Sequence, residues 1–432
     1  MTDIYEIAEY TLEALKKSGA DAAQCIVSKS KKDELNVDGG KFSLMRSTFN
    51  TSISMKAIKD GKKGVTSINQ ATKEAIDGAA AQCISAAQSS VPDEAEQIAP
   101  FTAKAKYNTG VFEPELDKLF DRIEEFMSQT AAEYPKIILE QLISDYEHSE
   151  KLYMNTNGTS LKYEHGEYSF NTMFSAHEGE KASSFNGYFC ALNSLNKPFM
   201  DAGMQRQLLA ESEKQLDTVS PSEKFVGRVI YSPDCFNELL QTALENFASS
   251  GVLIDGTSPW KDALNTKVAS QKLNLRSVPL DGRTVVGQRF TSDGYPVEDM
   301  DIIIDGVLKT FILSQYGANK TGFPRSLNSG NNLEVLPGDK ALEEMISGID
   351  RGLIVNRFSG GQPSSNGDFS GVAKNSFLIE NGKVVSAVSE TMISGNIIDM
   401  LNNIVAVSKE QTTDGFSFMP WAEFDGVTVS GK

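Results

Sequence analysis

Apolar positions along the first seventeen residues recur at helical spacing. Ile4, Ile7, Ala8, Thr11, Leu12 and Leu15 fall on one face, Lys16 and Lys17 suit the negative end of the helix dipole, and Gly19 is placed to end it. The period then shortens. Residues 24–28, 34–37, 41–46, 51–58 and 64–68 read as short strands, with hairpin turns at Asp38-Gly39-Gly40 and Asp60-Gly61. An Ala-rich helix is expected from Thr72 to Ala87, and residues 91–110, which hold Pro92 and Pro100, read as a loop. Leu116, Leu119, Phe120, Ile123 and Phe126 form the stripe of the next helix, which Pro135 bars from continuing. Residues 137–144, 151–155, 160–164, 167–176 and 183–192 then read as a run of antiparallel strands, with Asn157-Gly158 as a hairpin turn. A polar helix over 200–216 closes this half.

The stretch from Asp217 to Lys224 contains Ser220-Pro221-Ser222 and reads as a linker. The second half opens with a strand at 227–231 and a helix from Pro233 to about Ser249, with Ser232 at the N-cap. Strands dominate from there. Asp305-Gly306 and Asn381-Gly382 sit between apolar runs and mark two hairpins, and short helices are expected near 340–347 and 396–402. The pattern predicts an α+β protein of two domains with mainly antiparallel sheets. Residues 1–218 form an N-terminal sheet with helices, and residues 224–432 form a β-rich C-terminal domain.

Composition narrows the function classes. Of 432 residues, 40% are hydrophobic, enough for sizeable cores, and the formal net charge of −17 repels phosphate backbones, so direct nucleic-acid binding is not expected. The densest basic runs, Lys29 to Lys32 and Lys59 to Lys63, read as turns between strands. No stretch of about 18 apolar residues is present, so no membrane span is expected, and the acidic residues Asp3, Glu6, Glu9 and Glu13 do not suit a signal peptide. A cytoplasmic protein is the expectation. Cys25, Cys83, Cys190 and Cys235 stand far apart and form no CxxC pair, which suits reduced, partly buried thiols.

Chemistry is sparse. The three histidines, His148, His165 and His177, are too far apart for a helical zinc site, which needs two imidazoles about one turn apart. There is no GxSxG elbow and no GxxxxGK[ST] phosphate loop. The loop Phe358-Ser359-Gly360-Gly361-Gln362-Pro363 is unusual, because its glycines bare backbone groups that a peptide strand could pair with.

The order of features resembles the TldD/PmbA family over nearly the whole chain. The resemblance rests on the helix ending Lys16-Lys17-Ser18-Gly19-Ala20-Asp21-Ala22-Ala23, on Tyr153-Met154-Asn155-Thr156-Asn157-Gly158, and on Phe290-Thr291-Ser292-Asp293-Gly294 leading to Ile304-Asp305-Gly306. Gly360-Gly361-Gln362 and Phe377-Leu378-Ile379-Glu380-Asn381-Gly382-Lys383 complete it. The resemblance implies, for TldD-type members, a zinc metalloprotease with HExxxH on a helix early in the C-terminal domain and a later Cys. At the matching helix this chain has Gln241 and Asn246 in place of the histidines and Thr242 in place of the Glu, and no Cys follows Gln411. Amides are poor zinc ligands and Thr cannot act as a carboxylate base. No catalytic residue and no metal ligand is therefore assigned.

That pattern resembles the PmbA/TldE type. It implies a non-catalytic subunit of a TldD/TldE-like metallopeptidase complex acting on extended or unfolded peptides, with zinc only in the TldD-type partner. Gly360, Gly361 and Gln362 are then candidates for a peptide cleft. The family's gyrase-modulator label reads as indirect, given the charge. The alternatives are a stand-alone homodimeric peptide-binding protein without protease activity, or an enzyme with a different site.

Overall fold

The computed structural model describes residues 3–221, 223–361 and 363–431. The first half is built on one sheet. Its strands are β1 (Ala22–Asp38), β2 (Lys41–Lys59), β3 (Lys62–Ile68), β4 (Lys104–Gly110), β5 (Ile137–Asn155), β6 (Ser160–Glu178), β7 (Lys181–Ala182) and β8 (Asn186–Leu192). Their order is β3-β2-β1-β5-β6-β4, with β7 and β8 also paired to β6. α1 (Ile4–Lys17) precedes them, α2 (Lys73–Ser89) and α3 (Leu116–Glu133) interrupt them, and α4 (Gln205–Lys214) follows. Asp3 caps α1, its carboxylate accepting from the Tyr5 and Glu6 amides at 2.9 and 3.0 Å.

Several short strands expected from the sequence are parts of long ones. Residues 24–28 and 34–37 both lie in β1, and 41–46 and 51–58 both lie in β2. The basic run Lys29 to Lys32 is therefore the middle of a strand and not a turn. Its charges are matched from neighbouring positions. Lys31 pairs with Asp33 at 2.8 Å, and Lys32 with Glu147 at 3.2 Å. Polar residues broke the apolar alternation, while cross-strand pairing held the strand together. The stretch 91–110 is only partly a loop, because its end forms β4, parallel to β6.

One face of this sheet is covered by helices. Ile7 and Leu15 of α1 and Ile76 and Ile84 of α2 bury against Val27, Ile53 and Leu152. At the other end of the sheet, Leu119, Ile123 and Phe126 of α3 meet Leu35, Leu142 and Phe170. That second cluster continues into Ile230, Ile379 and Trp421, so the two halves share a core.

The second sheet contains β9 (Thr218–Val219), β10 (Phe225–Tyr231), β11 (Leu275–Ser277), β12 (Met300–Ile304), β13 (Val307–Leu308), β14 (Leu333–Val335), β15 (Arg351–Val355), β16 (Arg357–Gly360), β17 (Asp368–Lys374), β18 (Ser376–Glu380), β19 (Lys383–Val388), β20 (Met392–Asn396), β21 (Ile404–Thr413) and β22 (Phe418–Ser430). Its main path runs β13-β12-β11-β14-β22-β10-β15-β18-β19-β9. The first sheet's last strand ends at Leu192, and the second begins with β9, inside the stretch expected as a linker. Asp305-Gly306 and Asn381-Gly382 turn their hairpins with all four residues at positive φ (51°, 75°, 49° and 73°). The fold is α+β with large, mainly antiparallel sheets. Among the described residues no helix is long and apolar enough to cross a membrane, and all four cysteines are buried and free.

Candidate functional site

The helix α5 (Pro233–Ala248) organises the centre of the molecule. Pro233 opens it with a φ already suited to the first turn. Phe236, Leu240, Ala243, Leu244 and Phe247 recur on one face and bury in the second half's core, where Phe236 meets Phe424 edge-on at 5.8 Å. Anchoring that face leaves the helix's polar residues to face two separate spaces.

The larger space is a chamber of about 1030 Å³ between the halves. One wall is the uncovered face of the first sheet. Ser52, Ser28, Lys151 and Tyr163 form one row across β2, β1, β5 and β6, and Asn50, Ser30 and Ser149 form the next. The other wall takes Asn237 and Gln241 from α5, the segment 286–290, Asn331, Asn332 and the turn around Asp414. The halves are tied together beside it. Tyr188 Oη donates to the Thr413 carbonyl at 3.1 Å, the Ala191 amide to the Asp414 carbonyl at 2.8 Å, and Thr102 Oγ1 to the Gly294 carbonyl at 2.7 Å.

The smaller space, about 250 Å³, lies between α5 and β16. Cys235, Glu238 and Thr242 enter from the helix, and Phe358, Gly360 and Gly361 from the strand. The degenerate motif position Thr242 and the glycine loop, read from the sequence as separate features, thus share one pocket. Gln362 lies outside the described residues. β16 pairs with β17 along one edge, and no strand among the described residues pairs with its other edge. Gly360 has a packing reason, since a Cβ there would stand 2.7 Å from the Ser370 carbonyl oxygen and 2.8 Å from the Gly371 Cα. Gly361 has none, because a Cβ there meets open space.

A zinc ion does not fit α5. Gln241 faces the chamber, with its amide 3.4 Å from Asn237 Oδ1. Thr242 Oγ1 donates to the Glu238 carbonyl at 2.8 Å, and Asn246 lines neither cavity. The Cys235 thiol is pushed up to about 12, mainly by burial and further by Glu238, so it stays protonated and a weak ligand. The histidines are engaged elsewhere. His148 Nε2 lies 3.0 Å from Glu164, His165 Nδ1 2.7 Å from Thr109 Oγ1, and His177 Nε2 2.9 Å from Ser175 Oγ. Among the described residues no three His, Cys, Asp or Glu side chains form a metal-holding group.

Two features escaped the sequence reading. The chamber is assembled from segments far apart in the chain, so no local signal marks it. Asp234, in the first turn of α5, has its carboxyl pushed up to about 6 by the crowding of protein around it and then by Asp414 and Glu238. A helix N-terminus favours a carboxylate, but desolvation, with two further acids, outweighs that here.

The sequence matches identify the family as that of the PmbA/TldD proteins, which are metallopeptidase-related. The chain belongs to that family. Residues 224–431 match the PmbA/TldA metallopeptidase C-terminal domain, and residues 23–87 match the PmbA/TldA metallopeptidase domain 1. Over 155 residues the chain is 32% identical to the metalloprotease PmbA of Escherichia coli O157:H7, covering 35% of this chain and 34% of that one. Over 220 residues it is 27% identical to a zinc metalloprotease TldD homolog of Saccharolobus solfataricus, covering 47% and 49%. The matches thus span half or less of these relatives' lengths. In fold, the chain is similar to TldE from Thermococcus kodakarensis, with a TM-score of 0.83 and 22% identity over 98% of this chain and 100% of that one. It is also similar to a candidate modulator of DNA gyrase from Bacteroides thetaiotaomicron, with a TM-score of 0.85 and 23% identity over the whole of both chains.

Proposed function

We propose that this chain is a non-catalytic subunit, of the PmbA/TldE type, of a two-chain metallopeptidase assembly, and that it binds extended or unfolded polypeptide. The observation that carries this reading is the divergence of Gln241, Thr242 and Asn246. They face a chamber, a separate pocket and neither, and none of them is a zinc ligand. Zinc and the cleaving chemistry then belong to a TldD-type partner, and a cytoplasmic location goes with this role.

The walls around α5 suit a backbone more than a particular side chain. Hydroxyls and amides both donate and accept, so Ser28, Ser30, Ser149, Asn237 and Gln241 can satisfy the N–H and C=O groups of any extended chain. The free edge of β16 offers the same pairing in ladder form beside the smaller pocket.

A stand-alone dimer of this chain is the second reading, and one observation favours it. β3 covers β2 only over residues 53–59, so the outer edge of 41–52 is open, with Met45 73% and Phe49 74% exposed.

Elemental analysis of the untagged protein, beside a peptidase assay with and without a TldD-type chain, tests the proposal. The expected result is no stoichiometric zinc and cleavage only with the partner. One zinc per chain with chelator-sensitive cleavage by this protein alone overturns it, and peptide binding unaffected by any partner moves the reading to the dimer.

A further inference from the structure

The charged groups that line the chamber are unevenly satisfied. Its acids are all engaged. Glu147 pairs with Lys32 at 3.2 Å and Glu150 with Lys162 at 2.5 Å. Asp414 accepts from the Phe416 amide at 2.8 Å and from the Ser417 amide at 2.7 Å. Of the bases, Lys29 stands opposite Glu150 in the β1–β5 register. Lys151 and Arg289 are different, since neither has an ion pair among the described residues.

Both cations border one corner of the chamber. Lys151 stands opposite Tyr163 across β5 and β6, and the Arg289 guanidinium lies 5.7 Å from the Tyr163 ring centre. Lys151 Nζ is 5.8 Å from the ring centre of Phe290, the residue next to Arg289. The corner is built from held groups. Phe290 is buried, Tyr163 Oη shares a hydrogen bond with Thr109 Oγ1 at 2.8 Å, and Arg289 Nη1 donates to the Pro279 and Gln288 carbonyls. Among the described residues, Nε and Nη2 of Arg289 have no hydrogen-bond partner.

We propose that this corner binds a carboxylate of the extended chain, and that the group it selects is the chain's C-terminal carboxylate. The inference rests on the peptide-binding reading above and adds which end of the peptide the chamber holds. A chain of net charge −17 disfavours anions in general, so two cations without carboxylate partners inside it mark one place where an anion is welcome. The guanidinium fork matches the two coplanar oxygens of a carboxylate, and the ammonium adds a point charge. Lys151 is also held below the usual ammonium range by desolvation, with no carboxylate to oppose it, and a bound anion reverses that shift. The neutral wall of Ser28, Ser149 and Gln288 then meets the residues that precede the terminus.

The test uses the full chain and a fluorescent ten-residue peptide free of Asp and Glu, made with a C-terminal acid or amide. Anisotropy titrations should show the acid binding at least about tenfold more tightly than the amide, the equivalent of one good charged contact. Lys151→Met and Arg289→Gln should each shrink that gap by weakening acid binding more than amide binding, with thermal midpoints kept as the folding control. Equal affinity of the two peptides for the native protein overturns the carboxylate assignment and leaves peptide binding standing. Binding of neither peptide overturns both readings. Displacement of the acid peptide by inorganic phosphate at the peptide's own concentration makes the corner a free-anion site and overturns the terminus assignment.

Discussion

Gln241 and Thr242 are neighbours in the chain and open into different cavities. Gln241 lines the chamber between the halves, and Thr242 lines the pocket beside β16. Successive helical residues diverge by about 100°, so a helix pinned by its apolar face divides its polar residues between two spaces. α5 is therefore a partition wall, and the two candidate peptide-contacting regions are its two sides.

The strand edge gives a direct test. Gly361→Val puts a branched side chain into open space, so the thermal midpoint should stay within error of the native value. Binding of an extended peptide, followed by anisotropy or as partner-dependent cleavage, should fall several-fold if β16 is the pairing edge. Unchanged binding and unchanged stability would remove β16 from the site.

The junction of the halves is tight at Gly294. Its φ is +91°, and a Cβ there would stand 2.3 Å from the ring of Tyr153, which is fully buried. Gly294→Ala combines backbone strain with overpacking and should cost on the order of 2 kcal/mol. Chemical denaturation measures this, and a midpoint equal to the native one refutes the close contact.

Asp234 carries a pH signature. Its carboxyl is pushed up to about 6 by the protein packed against it and by Asp414 and Glu238, so the folded protein holds the proton more tightly than the unfolded chain. Stability from this site is therefore lost as pH rises from about 4 to about 6. Asp234→Asn removes that loss, so it should raise the thermal midpoint at pH 8 and have little effect at pH 3. A shift of the same size at both values would mean that the carboxyl is not perturbed.

Assembly is testable at the open edge of β2. Phe49→Lys places a charge on an exposed apolar position, and edge strands are commonly protected from pairing in this way. Self-association, or association with a TldD-type chain, should weaken by about tenfold or more if this edge is an interface. Analytical ultracentrifugation at micromolar concentration decides it, and an unchanged mass distribution excludes this edge.

Much of the fold was legible because local rules and tertiary packing agreed. α1, α2 and α5 carry complete apolar stripes, and the Asp305-Gly306 and Asn381-Gly382 turns need the positive φ that these residues tolerate. The reading failed where polar residues line a solvated chamber or pair across strands. Lys29 to Lys32 looked like a turn because alternation was lost there, yet in β1 one face meets the chamber and charged partners come from β5. β4 was missed because a strand of Lys104-Ala105-Lys106-Tyr107 is held by parallel pairing to β6, and its own residues carry little apolar pattern.

The candidate site divides in the same way. The residues present on α5 were readable by identity alone, since whether Gln241, Thr242 and Asn246 can ligate zinc is a matter of side-chain chemistry that no fold changes. The spaces around them were not. The Lys151–Arg289 corner joins residues 138 positions apart, and its meaning depends on which charges already have partners. Pairing is a property of distance, and distance between remote segments is set by how the two sheets pack. The sequence by itself determined the helices, the hairpins and the lack of a zinc-binding pair on α5. Only the tertiary structure decided that β16 and α5 enclose one pocket, that the uncovered face of the first sheet becomes a chamber wall, and that two cations there have no carboxylate partner among the described residues.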